Sequence, residues 1–97
     1  MAKQKAEQMH ADGVLELLRR RGLDHLRVRK RGDLLTIESG PTEAPFRHAR
    51  LRRVTVNYWT LEMPSHSSWQ KTPFRGTDDE IVELLIDNFG WTLQPID

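Results

Sequence analysis

No cysteine occurs in the chain. That excludes a disulfide framework and any zinc site built on thiolates, so a hydrophobic core has to hold the fold. No apolar run approaches the roughly 20 residues that cross a bilayer. The N-terminal MAKQKAEQMHADG carries the charge of a signal peptide's first part without the apolar stretch that follows in one. The expectation is a cytoplasmic protein with no membrane contact. Glycines are six and isolated, so no phosphate-cradling loop is visible. Basic residues nearly vanish after Arg53: residues 54–97 hold two Lys or Arg against seven Asp or Glu, whereas residues 1–53 hold thirteen against seven. Such a split marks either a nucleic-acid face or an acidic half that lies beside the basic one and cancels it.

What is present suits one domain spanning residues 1–97, since 97 residues at 37% apolar content build one core and not two. Residues 1–10 read as a frayed end or a helix extension, and 95–97 as a tail. In DGVLELLRRRGL, Ala11, Val14, Leu15 and Leu18 recur at helical spacing, with Leu17 widening the stripe. Arg19, Arg20 and Arg21 suit the negative end of the helix dipole, and Gly22 with Leu23 predicts a left-handed cap. Either Asp12 caps the start, or the helix runs back to about Lys5 across Gly13. The second helix is signalled by the capping box Thr77-Asp78-Asp79-Glu80, which predicts a start near Asp78. Ile81, Leu84 and Leu85 give it a core face, and Gly90 with Trp91 repeats the left-handed exit.

Between the helices the apolar period is two. HLRVRKRGDLLTIES, residues 25–39, reads as a hairpin with Leu26, Val28, Leu35 and Ile37 inward. SGPTEAP is a loop. RHARLRRVTVNYWTLEMP is too long for one ordinary strand. Its cationic face turns apolar near Arg53, which predicts two strands or one sharply bent strand. A short strand is expected around Trp69 to Thr72, and another at WTL after the second helix. The predicted class is α+β in the order α-β-β-β(-β)-α-β, with an antiparallel sheet of three to five strands covered on one face by two helices.

Catalytic signals are thin. His10, His25, His48 and His66 show no metal-ligand spacing. Ser65, Ser67 and Ser68 flank His66 without a nucleophile-elbow pattern, and Asp78 with Asp79 is explained by the helix dipole. No catalytic residue, metal, cofactor or small-molecule substrate is expected. The cationic face is different. Strand alternation places His25, Arg27, Arg29 and Arg31 on one side of the hairpin, with Arg50 and Arg52 extending it from the next strand. Arginine fits planar, bidentate recognition of phosphate or carboxylate. Glu38, Glu43 or Glu62 across strands would neutralise part of it. Sheets that read single strands place aromatics among their cations, but Tyr58, Trp59 and Trp69 lie downstream of the basic segment. Two functions follow as expectations. One is a non-catalytic module binding nucleic-acid phosphates through His25, Arg27, Arg29, Arg31, Arg50 and Arg52. The alternative is a protein-interaction module, such as an antitoxin, immunity protein or small adaptor, that meets a partner or a second copy through Trp59 and Trp69.

Overall fold

The computed structural model describes residues 4–95. Its elements are α1 (Gln8–Arg20), β1 (Arg27–Arg31), β2 (Leu34–Ser39), β3 (Phe46–Thr55), β4 (Tyr58–Ser65), β5 (Ser68–Gly76), α2 (Asp78–Phe89) and a terminal 3-10 helix, Gly90–Leu93. The strands form one antiparallel meander in the order β1-β2-β3-β4-β5. Both helices pack on one face of it. No helix among the described residues is long and apolar enough to cross a membrane.

Each chain reversal has a local cause. The β1–β2 hairpin closes on Gly32 and Asp33 with Gly32 at φ +59°, the positive first position of a tight two-residue turn that glycine adopts freely. The eighteen-residue basic segment breaks into two strands at Val56 and Asn57, beside a bulge between Arg53 and Thr55. Beyond it, β5 is a full edge strand, longer than the short strand predicted around Trp69. Its bulge opposite Thr60 to Glu62 takes in Pro73, which lacks an amide to offer the ladder. Thr72 repairs the gap, its hydroxyl donating to the Leu61 carbonyl and accepting from the Phe74 amide.

Inward residues of all five strands meet the helices. Leu35, Ile37, Ala49, Leu51, Trp59 and Leu61 pack with Val14 and Leu18 of α1 and Ile81, Val82 and Leu85 of α2. α1 starts at Gln8 and passes through Gly13. Its first turn is held by the Glu7 amide donating to His10 Nδ1, 3.0 Å, while the His10 ring sets its edge against Trp59. Residues 6–7 are not frayed: Ala6 is buried and donates to the Gly32 carbonyl, 2.8 Å. Residues 1–3 and 96–97, parts of the predicted helix extension and tail, lie outside the described residues. At the α1 exit Gly22 is left-handed at φ +78°, with Leu23 N to Leu18 O and Gly22 N to Arg19 O closing the predicted cap.

α2 begins as its capping box predicts. Thr77 Oγ1 accepts from the Glu80 amide, and Glu80 Oε1 accepts from the Thr77 amide at 2.9 Å. Thr77→Ala should lower the urea midpoint by about 1 kcal/mol of stability; an unchanged midpoint would remove the box from the account of this helix. The α2 exit departs from expectation. Gly90 is right-handed, φ −55°, and WTL continues as the 3-10 helix, not as a strand. Leu93 is buried while Trp91 is 75% exposed, so the apolar anchor is two residues later than the sequence pattern implied.

Candidate nucleic-acid interface

The face of the sheet turned away from the helices is built of arginine. Cross-strand pairing puts Arg29, Thr36, Arg50, Glu62 and Lys71 in one row across all five strands. Arg31, Leu34, Arg52, Thr60 and Arg75 form the next row. Arg27, Glu38 and Arg47 form a third. Partners in an antiparallel ladder point to the same side, so eight cations share this face.

Two buried carboxylates lie beneath them. Glu38 accepts from Arg27 Nε and pairs with Arg29 Nε, each at 3.2 Å. Glu62 receives Arg50 Nε at 2.6 Å and Arg52 Nε at 2.8 Å. Burial opposes ionisation of Glu62, but the hydrogen bonds and charges of Arg52 and Arg50 outweigh it and hold the carboxyl below its ordinary value. The hydrogen bond to Glu62, with Asp33 adding its charge, keeps the Arg52 guanidinium more firmly protonated than usual despite partial burial. Neutralisation by Glu38 and Glu62 therefore occurs, whereas Glu43 accepts from the Thr42 hydroxyl and pairs with no cation among the described residues. The acidic half as a whole does not cancel the face. Asp78, Asp79, Glu80, Glu83 and Asp87 all belong to α2, on the opposite side of the sheet, where Glu83 and Asp87 engage Arg21 of the basic half.

The predicted cations divide by what already holds them. Arg27 is committed to Glu38 and to the carbonyls of Gly40 and Pro41. Arg52 is committed to Glu62 and Asp33. Arg29 and Arg50 use Nε alone, and their terminal nitrogens donate no hydrogen bond among the described residues. Arg31 is exposed and forms no ion pair among those residues. His25 leaves the set. It lies before β1, and its Nε2 meets the Leu93 carbonyl at 2.6 Å, beside the 3-10 helix.

Arg47 takes its place, and strand alternation missed it for a physical reason. A bulge between Ile37 and Glu38 leaves His48 as an extra residue in β3, so Arg47 pairs with Glu38 and rejoins the face of Arg50 in spite of its odd number. His48 itself is buried, its Nδ1 against the Thr92 carbonyl and its Nε2 against Ser39 Oγ, both 2.7 Å. Arg29, Arg31, Arg47 and Arg50 surround a hollow of about 400 Å³, floored by Thr36 and Glu38 and walled by Trp69. Trp69 carries the Arg50 guanidinium 4.4 Å from its ring centre. Trp59 is 1% exposed and offers no surface to a partner, so only Trp69 of the expected aromatic pair stays at the site. No family model, curated protein or solved structure matches this chain.

Proposed function

We propose that this chain is a non-catalytic module that holds the phosphate backbone of a nucleic acid against the outer face of its sheet. One observation carries the reading: four arginines converge on one hollow with terminal guanidinium nitrogens that no described residue accepts. The fork of each suits a phosphate's oxygens. Glu62 fixes Arg50 by Nε, which reduces the side-chain freedom lost on binding. The acidic α2, across the sheet, orients a polyanion toward the arginine side.

Four phosphate contacts give a slope of log affinity against log salt of about −3 to −4 on duplex and about −3 on a single strand. The double variant Arg31→Glu, Arg47→Gln should bind DNA and RNA oligonucleotides about tenfold more weakly at about 50 mM salt. Its melting temperature should hold, because neither side chain has an ion pair among the described residues. A glutamate at Arg27 or Arg47 is unsuitable for this test, since it would face buried Glu38. Fluorescence anisotropy across a salt series decides the matter: retained binding by the variant, or none by the parent chain, refutes the proposal. A second reading has its own observation. Met63, Pro64, Phe89, Trp91 and Pro95 line an apolar hollow of about 510 Å³, and with Trp91 exposed this surface supports the protein-interaction alternative.

A further inference from the structure

Resting on the nucleic-acid reading, we infer that the hollow takes a single strand, with one base laid against the Arg50–Trp69 pair and its exocyclic amine donated to the Glu38 carboxylate. Two independent features of the same hollow lead there. The first is the stack. Trp69 stands half-buried on the edge strand β5 with a guanidinium over its ring, and indole and guanidinium planes are the surfaces on which unpaired bases stack. A base within a duplex has no free face to offer them. The hollow, about 400 Å³, is of the size that encloses a small ligand such as one nucleoside, about 300 to 1,000 Å³.

The second feature is Glu38. Its side chain is 1% exposed, and while Oε1 meets both Arg27 and Arg29, Oε2 has no hydrogen-bond partner among the described residues. Phosphate alone cannot satisfy that oxygen, because it brings acceptors and Oε2 needs a donor. Arg29 is the looser of its two clamps: its side chain is 46% exposed and tied by one 3.2 Å contact, whereas Arg27 also grips two loop carbonyls. When Arg29 turns outward to a phosphate, the need of Glu38 for a donor grows. Cytosine N4 supplies one, as do the amines of adenine and guanine, whereas thymine sets its one N–H between two carbonyls that repel a carboxylate. The preferred ligand is therefore a single strand carrying amino-bearing bases, with cytosine the simplest probe.

The test compares short oligo(dC), oligo(dT), an abasic strand of equal length and a duplex by anisotropy at neutral pH and about 50 mM salt. Oligo(dC) should bind about tenfold more tightly than oligo(dT), with the abasic strand weaker than both. Trp69→Ala should weaken oligo(dC) by about fivefold or more, and Trp69→Phe should restore most of that loss. Glu38→Gln, followed by its melting curve, should erase the difference between dC and dT; the strand comparison on the unaltered chain stands whether or not that variant folds. Equal affinity for dC, dT and abasic strands, or tighter binding of duplex, overturns this inference and leaves phosphate binding in place. Absence of binding to every strand overturns the phosphate reading itself.

Discussion

Leu85→Ala should lower the unfolding free energy by about 2 to 5 kcal/mol, a large share of the roughly 5 to 15 kcal/mol that holds a small domain together. Leu85 is wholly buried between α2 and the sheet, so the methyl groups it loses leave a cavity with little room to collapse. Leu84 is its internal control. Helical spacing assigns both leucines to the core, but Leu84 is only partly buried against it. Leu84→Ala should therefore cost clearly less, about 1 to 2 kcal/mol by the area it removes from contact. Urea denaturation of the two variants side by side checks the pair; equal losses would show that α2 is rotated from the orientation described.

Glu62→Ala should be nearly as damaging, about 3 kcal/mol. Its removal leaves Arg50 and Arg52 adjacent, with Asp33 pairing Arg52 and no carboxylate among the described residues pairing Arg50. The figure sits at the low end for a broken buried ion pair because the two arginine side chains, 18% and 29% exposed, keep some water contact. Acid should do reversibly what the substitution does permanently. The folded carboxyl titrates below its ordinary value of 4.5, so its stabilisation is complete above that value and is lost as pH falls through the lower folded one. Glu62→Gln should be less stable than the parent chain at neutral pH and should show a flatter fall in stability below about pH 4.5. Parallel slopes for the two proteins would assign the acid sensitivity to other carboxylates.

The helix ends were legible because their signals are local. Thr77 to Glu80 and Gly22 with Leu23 make contacts within six residues of themselves, and no distant segment can override them cheaply. The α2 exit shows where that locality ends. Gly90 matches a left-handed cap by type, yet burial of Leu93 and hydrogen bonds from His25 and His48 to consecutive carbonyls draw the chain into a 3-10 turn. The hairpin arginines were placed on the correct face by alternation. What alternation cannot express is competition for each guanidinium: Arg27 and Arg29 are equivalent by period, and only the loop carbonyls of Gly40 and Pro41 separate them. Trp69 was legible as an aromatic but not as a neighbour of arginine, because pairing of β4 with β5 brings it there from nineteen residues beyond Arg50.

The bulge in β3 lets adjacent residues of one strand serve opposite sides of the sheet. Leaving out His48, the pairs Ile37 with Ala49 and Glu38 with Arg47 follow one another as in an uninterrupted ladder. His48 is thus an extra residue that leaves the frame of the sheet unshifted on either side. Its ring nitrogens meet Ser39 and the Thr92 carbonyl and its ring lies edge-on to His25, all on the side away from the arginine face. The same strand therefore fastens the C-terminal turn on one side of the sheet and presents arginine on the other, through the adjacent residues His48 and Arg47.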